Sequence, residues 1–223
     1  MIISYRKDHI PKETVCNRRP VLAMTATTIT IHNTGNASSS AANERSWLTN
    51  KSNNRTASYH IAIDEKEAIE CIPLNENAWH AGDGSKSGSG NRTSIGIEIC
   101  ESGNYAKTLD NAVQLVASML KERGWGVERL RRHFDWSGKI CPRLMYDGGK
   151  WTGWEQFKSR VAALLEEGEE ELDKTNTIVN AQKIDDGVLI NNQVYVPLRA
   201  VGNVLGAEVE WDNKTKTATL TTK

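Results

Sequence analysis

His133 and Cys141 stand eight positions apart in the stretch Arg131-Arg132-His133-Phe134-Asp135-Trp136-Ser137-Gly138-Lys139-Ile140-Cys141-Pro142, and that spacing constrains the chain more than any other feature. It is too long for one helix face. With the small, flexible Ser137-Gly138 pair between them, the segment reads as a loop that folds back and aims an imidazole and a thiolate at one point. Zinc accepts both, at about 2.0 to 2.3 Å. A third ligand must come from elsewhere, and His32, at the end of the run Thr28-Ile29-Thr30-Ile31, is best placed. Two histidines, one cysteine and a position left to water make the ligand count of a catalytic zinc, whereas a structural zinc is closed by four protein groups. A histidine and a cysteine near each other also occur as plain packing residues, and these residues alone leave both readings open.

Around this stretch the chain alternates strand-like and helix-like patterns. Thr28 to His32 has a period of two, with Ile29 and Ile31 on one side and Thr30 and His32 on the other. Ser38 to Asn50 reads as a serine-capped helix. Ser58 to Asp64 and Ala68 to Ile72 read as a hairpin. Trp79-His80-Ala81-Gly82 then runs into a Gly- and Ser-rich loop from Asp83 to Gly90, placed at the rim of a cleft. Ile95 to Cys100 is a further strand, isoleucines on one face and Gly96, Glu98 and Cys100 on the other; an unpaired carboxylate there is costly and needs an explanation. Leu109, Ala112, Val113, Val116 and Leu120 predict a helix capped by Thr108 and ended by Gly124. Thr152 with Glu155 opens another, its stripe Trp154, Phe157, Val161, Leu164 and Leu165. Residues 6 to 25, with Pro11 and Pro20, read as an irregular arm with one helical turn. The expected fold class is α/β, a mixed central β-sheet flanked by helices.

Residues 166 to 176 open on an acidic run and read as a linker. Residues 177 to 223 then form a small α+β module, with a hairpin over Val188 to Val196, a helix from Pro197 to Gly206 and a last hairpin from Val209 to Leu220. This tail resembles the modules first described at the N-terminus of copper amine oxidases and common as stalks on secreted bacterial proteins. It holds no His and no Cys, so the resemblance carries no copper with it.

Composition excludes several classes. Of 223 residues, 38% are hydrophobic and 25% charged, as in soluble globular proteins. No run reaches the roughly 18 to 20 apolar residues of a membrane span. The N-terminus shows no apolar core behind its charges, so no secretory signal is expected. Lys plus Arg outnumber Asp plus Glu by 22 to 17 up to residue 165, and are outnumbered 6 to 11 beyond it. A mildly basic first part favours approach to an anionic wall polymer, and nothing in it points to nucleic acid. Cys16, Cys71, Cys100 and Cys141 make no disulfide framework, and the three other than Cys141 are expected to be small buried residues.

The segment His133 to Cys141 with Lys139, the segment Ile31-His32-Asn33-Thr34, the pair Tyr59-His60 and the run Ile95-Gly96-Ile97-Glu98-Ile99 together resemble the type 2 zinc-dependent N-acetylmuramoyl-L-alanine amidases. That family includes phage endolysins, bacterial autolysins and the animal peptidoglycan recognition proteins. The resemblance covers residues 1 to 165 as a catalytic domain. It implies one zinc ion on His32, His133 and Cys141. It implies Glu98 as general base, the alternative being a pair with Arg92, and Lys139 as the oxyanion partner, the alternative being a solvated loop lysine. Tyr59 matches a tyrosine that other branches use at the zinc, which leaves its division of labour with Glu98 open. Trp79 and His80 are candidates for substrate contact or for core packing, and His60 reads as a satisfied core histidine. The implied function is cleavage of the amide between N-acetylmuramic acid and the first L-alanine of the peptidoglycan stem peptide. Phage or prophage endolysin action at the wall after release from the cytoplasm is expected, secretion being the alternative. A binding-only recognition protein and a zinc peptidase of other specificity are the rival functions. The tail is expected to tether the chain to a Gram-positive wall or to a second copy.

Overall fold

Isoleucines spaced two apart give each central strand one apolar face, and those faces decide how the chain layers. The computed structural model of the protein describes residues 4–166 and 173–222. Two compact units result, Met1–Glu166 and Glu167–Lys223.

The first unit runs β1 (Ser4–Lys7), β2 (Thr28–Asn33), α1 (Ala41–Thr49), β3 (Ile61–Ile63), β4 (Glu67–Glu70), α2 (Gly90–Thr93), β5 (Ser94–Ile99), α3 (Tyr105–Lys121), β6 (Leu130–Arg132), α4 (His133–Ser137) and α5 (Thr152–Glu166). Its six strands lie in the order β1-β4-β3-β5-β2-β6. All neighbours are parallel except β3 and β4, so the sheet is mixed. On one face Ile29, Ile31, Ile61, Ile63, Ile95, Ile97 and Ile99 pack under Val113, Val116 and Leu120 of α3 and Trp154, Phe157 and Val161 of α5. Each fully buried isoleucine contributes about 1.5–3 kcal/mol.

The opposite face is divided. Over β3 and β4 it is apolar, and Ala62 and Ile69 pack with Ala41 and Leu48 of α1. Over β2 and β5 it is polar, presenting Thr30, His32, Ser94, Gly96 and Glu98. One apolar face plus half of the other is enough to hold the sheet, which leaves the polar half to chemistry.

Several boundaries differ from those read in the sequence. Helix α3 starts earlier: Asn104 is its cap, accepting the Lys107 N–H at 3.2 Å, and Thr108 is buried within the first turns. At α5, Thr152 is the first helical residue and Asp147 accepts its N–H at 3.1 Å. The segment after His133 is a short helix rather than an open loop, because Asp135 receives the Arg132 N–H at 2.7 Å and Gly138 closes the turn at φ 75°. An exposed edge strand, β1, overlaps the start of the arm, and its four residues are too few and too polar to show a period. Cys71 and Cys100 are buried as expected, but Cys16 is exposed on a 3-10 turn. No helix among the described residues is long and apolar enough to cross a membrane.

The second unit holds β7 (Asp173–Lys174), β8 (Thr177–Val179), β9 (Gln182–Ile184), β10 (Val188–Ile190), β11 (Gln193–Tyr195), α6 (Leu198–Leu205), β12 (Glu208–Asp212) and β13 (Thr217–Thr221). Strands β11, β10 and β7 form one sheet, and β8–β9 and β12–β13 are hairpins. Asn191 and Asn192, both at positive φ, make the tight turn between β10 and β11. Of the stretch read as a linker, Glu166 ends α5, residues 167–172 lie outside the described residues, and Asp173–Lys174 pair with β10.

Because each unit has its own internal contacts, truncation after Glu167 is expected to leave a soluble first unit with a single cooperative thermal transition; an insoluble or molten fragment contradicts that independence.

Candidate metal centre

The polar half of the sheet brings its side chains together by register. His32 of β2 lies opposite Glu98 of β5, and Ile31 pairs with Arg132 of β6, which sets the next residue, His133, beside His32. All three stand at the carboxyl ends of parallel strands, where open α/β sheets place their ligand sites. Cys141 arrives from the far side of α4, and the Phe134 N–H donates to its carbonyl at 3.1 Å, closing the segment.

His32 Nδ1 lies 3.1 Å from His133 Nδ1 and 3.7 Å from Cys141 Sγ. All three residues are buried, and their ligand atoms fall within 4.8 Å of one another. A tetrahedral zinc with ordinary bond lengths sets its nitrogen ligands about 3.3 Å apart and a nitrogen and a sulfur about 3.6 Å apart. The two edges that meet at His32 Nδ1 lie close to those values.

Hydrogen bonding also fits a cation. His133 Nε2 lies close under Gly82, and its Nδ1 faces His32. His32 Nε2 faces His80 Nδ1 at 3.1 Å, which turns its Nδ1 toward His133 and Cys141. The two Nδ1 atoms, 3.1 Å apart, and the Cys141 sulfur thus converge on one point that a cation can occupy. Burial holds these rings neutral: His32 is pushed well below the usual range and His133 to about 4, with the Lys139 ammonium adding to both. Burial likewise lifts the Cys141 thiol to about 12, a shift that a coordinated cation reverses.

Glu98 Oε1 is 4.0 Å from His32 Nδ1, and Glu98 Oε2 is buried with no hydrogen-bond partner. Burial lifts its carboxyl to about 8, with Glu44 adding and Lys139 opposing. Arg92 does not pair with it; its own Nε is also buried without a partner. The cluster opens into a cleft of about 840 Å³ lined by Lys139, Tyr59, Trp79 and residues of α1.

The remaining candidates take distinct places. The Tyr59 hydroxyl donates to the Glu44 carboxylate at 2.7 Å, with the Glu44 carbonyl also in reach, so its single proton is directed at α1. Trp79 is half-buried on the cleft wall, its Nε1 donating to the Asn17 carbonyl at 2.9 Å. His80 is not free for a substrate, because both its nitrogens are engaged inside the protein, Nδ1 with His32 and Nε2 with the Ser94 carbonyl at 3.0 Å. His60 accepts the Gly96 N–H at Nδ1 and donates to the Glu76 carbonyl from Nε2, each at 2.9 Å.

Sequence reasoning misses the staple that holds the cluster. Glu101, almost fully buried, accepts the Gly35 N–H at 2.9 Å and both Arg143 Nε, at 3.0 Å, and an outer guanidinium nitrogen. Asn33 Oδ1 accepts the Leu144 N–H at 3.0 Å. The turn after His32 and the turn after Cys141 are thereby tied together across gaps of 42 to 111 residues, which no local pattern reveals.

Two outcomes follow. Glu101→Ala is expected to lower unfolding stability by about 1–3 kcal/mol, and Arg143→Ala by less, because Arg143 is half-exposed while Glu101 also serves Gly35; equal losses in urea titrations contradict the staple. In chelator, stability is expected to fall as pH drops from about 6.5 toward 4. The folded state keeps His60 and His133 neutral down to about 4, whereas the unfolded chain takes up protons near 6.5, so protonation favours unfolding across that window. A flat profile there contradicts the burial of these rings.

Comparisons with known proteins place the chain among related sequences and folds. N-acetylmuramoyl-L-alanine amidase CwlA of Bacillus subtilis (strain 168) is 48% identical over 146 residues, which are 64% of this chain and 51% of that protein. XlyB of the same organism, also an N-acetylmuramoyl-L-alanine amidase, is 47% identical over 150 residues, 66% of this chain and 45% of that protein. The solved structure of the catalytic domain of XlyA aligns with a TM-score of 0.64 at 40% identity, covering 71% of this chain and 99% of that one. The chain thus spans about half the length of the curated relatives it matches. Residues 172–223 match the family model described as copper amine oxidase N-terminal domain. Residues 22–144, more than half of the chain, match the family model described as N-acetylmuramoyl-L-alanine amidase, and with this fold, this cluster and these relatives the chain belongs to that family.

Proposed function

We propose that the first unit hydrolyses the amide between N-acetylmuramic acid and the first L-alanine of the peptidoglycan stem peptide, with one zinc ion held by His32, His133 and Cys141. The observation that carries this is the convergence of two imidazole nitrogens and a sulfur at the floor of an open cleft, beside a carboxylate oxygen with no partner. A zinc ion there acidifies water and polarises a carbonyl as a Lewis acid.

The chain's own groups do the rest. Glu98, whose free Oε2 can accept a proton, takes one from the attacking water and returns it to the nitrogen of the departing L-alanine, so that the C–N bond breaks with the charge balanced. Its raised carboxyl suits that exchange near neutral pH. Lys139, exposed at the cleft two residues before Cys141, can bring its positive charge toward the oxyanion that forms at the carbonyl. The Tyr59 proton is committed to Glu44, which supports assigning the base role to Glu98 and giving Tyr59 the shaping of the α1 wall. The half-buried Trp79 ring is suited to stacking on a sugar or peptide face. A binding-only cleft has no use for an unpartnered buried carboxylate, which favours the catalytic reading over its non-catalytic rival.

The site of action is the bacterial cell wall, as for an endolysin or autolysin. The tail is read as a tether to wall polymer or to a second copy, a role supported by the exposed rings of Tyr195 and Trp211.

Digestion of purified peptidoglycan is expected to release new N-terminal L-alanine, to stop with chelator and to resume with zinc. Glu98→Gln is expected to keep its zinc and lose about 10²- to 10⁴-fold in rate. An unimpaired rate removes Glu98 from the base role, and chelator-resistant cleavage removes the metal.

A further inference from the structure

The cluster has a rear wall, and its parts are fixed more firmly than substrate contact requires. His80 is buried behind His32, and the N–H groups of His80 and Ala81 both donate to Asn91 Oδ1, at 2.7 and 2.8 Å. Its ring stands edge-on to His32, with centroids 5.2 Å apart. Nε2 donates to the Ser94 carbonyl at 3.0 Å, and a neutral imidazole carries only one ring proton, so Nδ1 is an acceptor. The group facing that acceptor, at 3.1 Å, is His32 Nε2.

We propose that His80 is a positioning residue for the metal ligand His32: by accepting the hydrogen bond of His32 Nε2–H, it fixes that ring's tautomer and turn and presents Nδ1 to the metal. The chain of donors runs from His32 through His80 to the backbone of β5, the strand that also carries Glu98. Metal ligand and proposed base therefore hang from one strand. Outer partners of ligating histidines act in this way, and their loss typically costs about 10- to 100-fold in metal affinity.

Gly96 explains why the ring fits. A Cβ at this position would lie 2.6 Å from His80 Cγ and 2.8 Å from its Nδ1, so only glycine leaves the seat open in β5. The lone glycine inside an isoleucine-rich strand marks that close approach. His60 completes the floor by accepting the Gly96 N–H, with its ring edge-on to His80 at 5.6 Å.

This inference rests on the zinc reading of the site, and the test separates the two. Zinc affinity of the full chain is measured by competition with a chelating dye for wild type, His80→Phe and His80→Asn, alongside thermal unfolding of each. His80→Phe, which keeps a ring but has no acceptor, is expected to bind zinc about 10- to 100-fold more weakly. His80→Asn, whose side-chain oxygen can stand near the Nδ1 position, is expected to recover most of that loss. Equal affinity of wild type and His80→Phe overturns the role of His80 while leaving the zinc site intact, as does an Asn variant no better than Phe; a wild type that binds no zinc overturns both. If His80→Phe does not fold, nitrogen-15 spectra of the zinc-loaded wild type decide. They are expected to show the His80 proton on Nε2 and a coupling across the bond to His32 Nε2; a proton on His80 Nδ1 overturns the inference.

Discussion

Two imidazole nitrogens and a sulfur from segments 101 and 109 residues apart point at one another at the buried floor of the cleft. Such a gathering is costly without a common partner, because three polar groups are taken out of water together and burial penalises the charged form of each. A divalent cation would engage all three at once. The rest of the first unit can be understood as the means of holding those acceptors still: three parallel strands in register, the Glu101 staple across two turns, and His80 behind His32.

The sheet makes this affordable by burying one face completely and the other only in part. Its isoleucine face lies under α3 and α5, and α1 covers the β3–β4 half of the opposite face. What remains over β2 and β5 is a polar patch walled by apolar layers. In such a patch a carboxylate like Glu98 keeps an unpartnered oxygen, and a single lysine charge is felt by both His32 and His133. A fixed, poorly solvated set of dipoles and charges is what stabilises charge that develops during a reaction.

Much of the layering is legible in the sequence, because a period of two at Ile29 and Ile31 or at Ile95, Ile97 and Ile99 is written locally and the core has only one way to use it. Helix starts are less so: Thr108 resembles a cap, but Asn104 sits at the true boundary and accepts the Lys107 N–H. An edge strand such as β1 leaves no period at all. At the site, the residue types of His32, His133 and Cys141 suggest a metal, but their meeting depends on register between β2 and β6, which spacing does not encode. Glu101 looks like any loop glutamate until Arg143 is found beside it. His80 looks like a cleft residue beside a tryptophan. Its place behind His32 is foreshadowed only by Gly96, a glycine where the strand pattern calls for bulk.

The central claim concerns the atoms that surround one ion, so the most direct measurement is X-ray absorption at the zinc edge of the metal-loaded chain. The account predicts two nitrogen scatterers near 2.0–2.1 Å, one sulfur near 2.3 Å and one further light atom. A shell of nitrogen and oxygen without sulfur, or one with two or more sulfurs, would contradict it.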